Sequence, residues 1–339
     1  MHPAKRGSGA GGHHARVGRT TGAGGHNVRV IPASALPLVD RHTHLEGALD
    51  PAWVRREAER RGLALPGPLE ALWGGGAALF EGFIEAFLFG ASLLDSREAV
   101  RQAALAVARR TLAAGGSGVD LWVSPHFLVV HRAQLSLTDF WQGLDEGLSE
   151  ARALGLRSCV VVDAVNHFGP RHGHAVLDLV LPELPAFVKG FSTGGLEGCP
   201  FRDWAPVFDR ARAAGLRLAA HAGENGPGSN VREAVLEAGV ERIVHGIRAD
   251  DGTLALLADR GIPVDVCPRS NAGLAADVRP HPLPRMLRAG VRCALGTDDP
   301  GVLPCDLATE REAARTLGLD EAEMSRLLRH GAEDAWCLA

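Results

Sequence analysis

The sequence predicts an α/β protein, specifically a (β/α)8 barrel with a long helical insertion after its first strand. Three observations carry that reading. From about residue 36 onward, eight short runs rich in apolar and β-branched residues recur. Each is followed by a segment of helical periodicity or by a helical insert. Histidines and carboxylates collect at the ends of several runs, the place where such barrels keep their chemistry. Near-continuous apolar runs suit strands buried on both faces, hence a parallel sheet. A doubly wound open sheet is the alternative for the same alternation.

The elements follow in order. Residues 1–35 are rich in Gly, Arg and His, lack the apolar core of a secretory signal, and read as a disordered or non-native extension. The barrel is assigned to 36–339. Its first strand is "LPLVDRHTH" (36–44), and the crossover after it, roughly 50–117, is unusually long. That crossover holds "LFEGFIEAFLFGASLL", in which Phe80, Phe83 and Phe87 share one helix face. They form either a core stripe or an apolar lid, since long βα insertions lie over the barrel mouth. The helix "SREAVRQAALAVARRTLAAGG" opens at Ser96 as N-cap and ends at Gly115-Gly116. Strands two to four are "GVDLWVSP" (118–125), "RSCVVVDAV" (157–165) and "AFVKGFST" (186–193). Strands five to eight are "LRLAAHAG" (216–223), "RIVHGI" (242–247), "IPVDVCP" (262–268) and "VRCALGTDD" (291–299). Between them, "FRDWAPVFDRARAAG", "NVREAVLEAG", "DDGTLALLADRG" and "PLPRMLRAG" show helical spacing and end at Gly.

Composition narrows the function. A net charge of −4 without a basic stripe argues against nucleic acid. No apolar run approaches the ~18–20 residues of a spanning helix, which argues against a membrane protein. The six Cys form no C-x-x-C pair, so they read as reduced thiols of a cytoplasmic protein.

Four strands deliver polar residues to one rim: His42 and His44, His221 with Glu224, His245, and Asp298 with Asp299. Residues i and i+2 of a strand face the same side, so His42 and His44 can reach one ion. Taken alone, the pair reads equally as satisfied core histidines. Joined by His221 and Asp298 at matching strand ends, it reads as a metal site. Imidazoles and a carboxylate without thiolates suit one Zn²⁺ with a position kept for water. Zinc there would bring the water's pKa down toward ~7. Glu224, three residues beyond His221, is a candidate proton donor to a substrate nitrogen. His245 is either a further ligand or a residue that orients the nucleophile. Adjacent Asp298 and Asp299 point to different sides, one toward metal and one toward substrate.

In order, "HTHLEG", "HAGE", "VHG", "CPRSN" and "TDDP" resemble the adenosine deaminase family of the amidohydrolase superfamily, over about residues 36–337. The resemblance implies one zinc held by His42, His44, His221 and Asp298. It implies that Glu224 protonates N1 of a 6-aminopurine while hydroxide attacks C6 and ammonia leaves. His245 then steadies the hydroxide, Asp298 also takes a proton from the water, and Asp299 hydrogen-bonds N7. A Gly amide in the fourth-strand motif contacts the purine, a place kept here by Gly195.

The chain departs from the family pattern at several places. "GFSTGGLEG" has Ser192-Thr193 where Asp-Leu is common, and its Gly-Gly-x-Glu form is closer to deaminases of aminodeoxyfutalosine. "HLEG" puts Glu46 where the classical enzymes use Asp toward the sugar; adenine deaminases also carry Glu. Trp122 stands where Arg is common. Glu46 is therefore expected to face the substrate, with adenosine, adenine, aminodeoxyfutalosine or another amino-heterocycle as candidates. Three rivals remain: a binuclear amidohydrolase using Lys189, a cytidine-deaminase-type site, which needs the C-x-x-C this chain lacks, and a binding relative without catalysis.

Overall fold

Short β-branched runs form the strands. They are β1 Val39–His44, β2 Gly118–Val123, β3 Arg157–Val165, β4 Val188–Gly194, β5 Arg217–Ala222, β6 Arg242–His245, β7 Val264–Val266 and β8 Cys293–Leu295. In this computed structural model, residues 36–67, 80–131, 135–275 and 277–339 are described; the extension at 1–35 lies outside them. The strands lie side by side in sequence order, each parallel to the next. The ring closes where the amide of His44 donates to the carbonyl of Asp298 and the amide of Asp298 to that of His42, both at 2.8 Å. A closed parallel barrel, rather than an open sheet, is the outcome.

Helices alternate with the strands as their patterning requires. The insertion after β1 contains α1 (Pro51–Arg61) and α2 (Phe80–Ala91). The next helix, α3 (Arg97–Ala113), is capped by Ser96, whose hydroxyl accepts from the Ala99 amide at 3.3 Å. In α2, Phe83 and Phe87 pack ring to ring at 6.0 Å and line a cavity at the barrel mouth. That helix is therefore a wall of the pocket as well as part of the core; the side chain of Phe80 lies outside the described residues.

Simple alternation along β1 would place Asp40 on the face of His42 and His44. A register shift between Asp40 and Thr43 changes this. Asp40 and Thr43 both line a small cavity against Val107 and Arg110 of α3, outside the barrel, while His42 and His44 turn inward. From outside, Asp40 anchors the strand: its carboxyl accepts from the Thr297 hydroxyl at 2.6 Å and the Thr297 amide at 3.0 Å.

The barrel floor holds a buried ionic layer. Arg41, Asp120, Arg242 and Asp265 come from four strands, and their side chains are wholly buried. Arg242 meets Asp120 at 2.8 Å and Arg41 meets Asp265 at 3.0 Å. The C-terminal segment plugs this end: the Trp336 and Cys337 amides donate to Asp120, and Arg242 stacks 3.8 Å from the Trp336 ring centre.

Candidate functional site

At the opposite end, β1, β5 and the turn after β8 bring His42, His44, His221 and Asp298 together. His221 Nε2 lies 3.2 Å from His42 Nε2 and 3.3 Å from His44 Nε2. Asp298 Oδ1 lies 3.2 Å from His42 Nε2 and 3.6 Å from His44 Nε2. Burial drives the His42 and His44 rings down to about 3, so both are neutral at neutral pH. Burial pushes Asp298 up, but the His42 hydrogen bond and the surrounding imidazoles outweigh it and hold the carboxyl well below its usual range. Three imidazole nitrogens and a carboxylate oxygen converging at these distances make a donor set that a cation could take. Donors about 2.0–2.1 Å from a tetrahedral zinc lie about 3.3–3.4 Å apart, so the observed spacings fit that ion. The outer Nδ1 atoms of His42 and His44 are buried without a hydrogen-bond partner, so the protein itself does not compensate those rings for burial.

The surrounding shell orients these donors. His221 Nδ1 donates to the Thr193 carbonyl at 2.8 Å, which turns its Nε2 lone pair into the site. The Ser270 hydroxyl donates to Asp298 Oδ2 at 2.5 Å, leaving Oδ1 for the ion. Among the described residues, two that are not glycine adopt positive φ, His245 at 65° and Asp298 at 62°. Strained backbone of this kind concentrates at functional sites.

Glu224 lies on the turn after β5, with Oε1 3.6 Å from His245 Nε2. Burial raises its carboxyl to about 7, against the attraction of His245. Its turn is held by Glu197, whose carboxylate accepts from the amides of Gly223, Glu224, Asn225 and Gly226 and from the Asn230 side chain. The sequence reading noted Glu197 only as part of a motif; its function as a clamp appears once β4 and β5 are neighbours. His245 Nδ1 accepts from the Asn271 amide nitrogen at 3.1 Å, and Asn271 is held in turn by His281 at 3.2 Å. Nε2 of His245 faces Glu224 and the site, and its ring also lies within reach of His42 and His221 as a further candidate metal donor. "CPRSN" thus supplies the partners of both Asp298 and His245, and Ser270, Asn271 and His281 were not singled out from sequence.

The remaining expected residues sit as follows. Asp299 lines the cavity and lies across Gly47. A Cβ at Gly47 would fall 1.7 Å from Asp299 Oδ1, which explains the glycine of "HLEG". Gly195 lines the cavity with φ 78°. Glu46 is buried, and its Oε1 accepts from the Ser124 amide at 2.8 Å while Oε2 has no partner; it braces β1 against β2 beneath the cavity. Lys189 is exposed near the start of β4, far from the rim, so the binuclear design has no bridging lysine at that position. The cavity measures about 320 Å³. Its inner wall carries Asp163, Glu224, Asp298 and Asp299, and among the described lining residues there is no Lys or Arg.

The chain is similar to several known proteins. The adenine deaminase of Cupriavidus taiwanensis is 33% identical over 308 residues, covering 88% of this chain and 87% of that protein. The aminodeoxyfutalosine deaminase of Acidothermus cellulolyticus is 32% identical, covering 86% and 85%. The crystal structure of adenine deaminase from Arthrobacter aurescens superposes with a TM-score of 0.81 at 27% identity, covering 89% of this chain and 94% of that one. The model of the family described as adenosine deaminase matches residues 37–339, and the chain belongs to that family.

Proposed function

We propose that this chain is a zinc-dependent aminohydrolase that converts a 6-aminopurine to the 6-oxo product and ammonia. The observation that carries the reading is a protonatable Glu224 beside four converging metal donors. His42, His44, His221 and Asp298 would hold one zinc. When bound, the metal supplies a Lewis acid that makes water nucleophilic near neutral pH. Glu224 gives its proton to N1, which draws electrons from C6 as the water oxygen bonds there. His245, through Nε2–H, steadies the charge developing on the attacking oxygen. Asp298 accepts the proton the water releases, with Ser270 holding its other oxygen. The amine takes the proton held by Asp298 and leaves as ammonia as the C6–N bond breaks, while the C6 hydroxyl gives up its proton, restoring Glu224, and becomes the 6-oxo group. Gly195 and Asp299 position the ring, Asp299 at N7. Glu46 acts from one layer further down, by fixing Ser124 at the pocket wall.

Relatives named for adenine and for aminodeoxyfutalosine support the purine ring and leave its substituent open. The acidic inner wall without described Lys or Arg favours a substrate lacking phosphate. We place the protein in the cytoplasm, where its six unpaired cysteines stay reduced. An ammonia-release screen over adenine, adenosine, deoxyadenosine and aminodeoxyfutalosine identifies the substrate. Glu224→Gln is expected to keep fold and zinc yet lose about a hundredfold or more in turnover. Near-normal turnover of that variant would overturn the assignment.

A further inference from the structure

The reaction described above leaves Asp163 unused. It lies near the C-terminal end of β3, beside Ser192 of β4, lines the cavity, and is 6% exposed. Its Oδ1 is buried with no hydrogen-bond partner. The structure makes room for this carboxyl. A Cβ at Gly194 would stand 2.5 Å from Asp163 Oδ2 and 3.2 Å from the His221 ring, so glycine there lets an acid sit beside the metal donors. A buried polar atom facing a cavity and lacking a protein partner calls for a ligand partner.

The order of the strands says which part of the ligand. On the proposed function, Glu224 after β5 addresses N1 and Asp299 after β8 addresses N7. Going round the barrel from β5, Gly195 after β4 comes next and Asp163 on β3 follows. Going round a purine from N1 away from the amino group, N3 comes next and N9 follows. The two cyclic orders match, which sets Asp163 at the N3/N9 edge. A free purine base carries a ring N–H on that edge, whereas a nucleoside carries its sugar there.

We propose that Asp163 is a substrate-binding residue that accepts the ring N–H of a free aminopurine base and selects the base over its 9-substituted derivatives. A carboxyl group offers an acceptor oxygen in either protonation state. A site built to pair a substrate N–H discriminates strongly against analogues lacking it.

The test compares adenine with 9-methyladenine on zinc-loaded wild type, Asp163→Ala and Asp163→Asn. Wild type should prefer adenine by about tenfold or more, the effect of one buried hydrogen bond. Asp163→Ala should lose most of that preference, falling on adenine while changing less than about twofold on 9-methyladenine. Asp163→Asn keeps an acceptor oxygen of the same size and should retain most of it, which also guards against a folding defect in the alanine variant. A wild-type preference for 9-methyladenine, or equal losses on both compounds, overturns the proposal. If wild type deaminates neither, the wider ammonia-release screen decides the proposed function, and binding decides Asp163 separately. Purine should then bind more weakly to Asp163→Ala than to wild type while 9-methylpurine is unaffected; equal changes reject the role.

Discussion

The barrel buries polar side chains at both ends, and the two ends solve different problems. At the floor, two arginines face two aspartates, and the charges cancel within the protein. Burial pushes Asp120 up, yet Arg242 and Arg41 outweigh it and hold it below its usual range. At the rim, three imidazoles and several carboxyls converge with no arginine or lysine among the described residues lining the cavity. Burial there raises Glu224 and Glu46 to about 7 and lowers the histidines. The floor matches its charges among its own side chains; the rim gathers metal donors around a cavity. Burial alone therefore does not mark a functional residue; what sets the rim apart is burial on the wall of a cavity, beside converging metal donors.

Removing the metal tests the rim most severely. Dialysis against a chelator should abolish ammonia release, and stoichiometric zinc should restore it. The unfolding midpoint should also fall, because an ion bound only by the native state stabilises it. Full activity in metal-free protein would erase the contrast between the two ends.

Breaking the floor should do the reverse. Asp120→Asn leaves Arg242 and Arg41 short of one negative charge in a wholly buried layer. Loss of one member of such a set costs about 3–5 kcal/mol. Denaturant unfolding should show that loss, while kcat/KM per folded, zinc-loaded molecule stays within about twofold of wild type, within the range of changes remote from a reacting centre. Lost activity with unchanged stability would show that the floor and the rim act as one unit.

Much of the rim was legible in the sequence because strand periodicity is short-range. H-x-H, "HAGE" and "TDDP" each put their residues at a strand end without knowledge of the partner strands, and the eight runs gave the barrel. What stayed hidden depends on closure. Arg41, Asp120, Arg242 and Asp265 look like unrelated charges until four strands bring them together. The bulge that sends Asp40 outward leaves H-x-H intact and so has no signature in residue types. The positive φ of His245 and Asp298 is equally silent, since neither is glycine. Glu46 was expected at the substrate because a family carboxylate occupies its place; one oxygen of the longer side chain accepts from the Ser124 amide, a contact that only the pairing of β1 with β2 reveals, and the other has no partner.

The gentlest probe of the comparison is pH. Glu224 must carry its proton to act, and burial raises its carboxyl to about 7 while His245 opposes and Asp298 and Glu197 add to the rise. Activity is therefore present below that value and lost above it: kcat/KM should fall about tenfold per pH unit on the alkaline side. The same shift opposes stability in that direction. A carboxyl whose folded value lies above its unfolded one stabilises fully below the unfolded value, and that contribution disappears as pH rises through about 7. Asp120 has the opposite sign, since its folded value is depressed; its contribution is present at neutral pH and lost on acidification. Wild type should thus lose stability on both sides of an optimum: His42, His44 and Asp298 at the rim join Asp120 at the floor on the acid limb, and Glu224 acts on the alkaline limb. Asp120→Asn should remove part of the acid limb alone, and Glu224→Gln part of the alkaline limb alone. Unfolding curves from pH 4 to 9 on the three proteins check this, and a variant that flattens both limbs would mean that the two buried layers titrate as one.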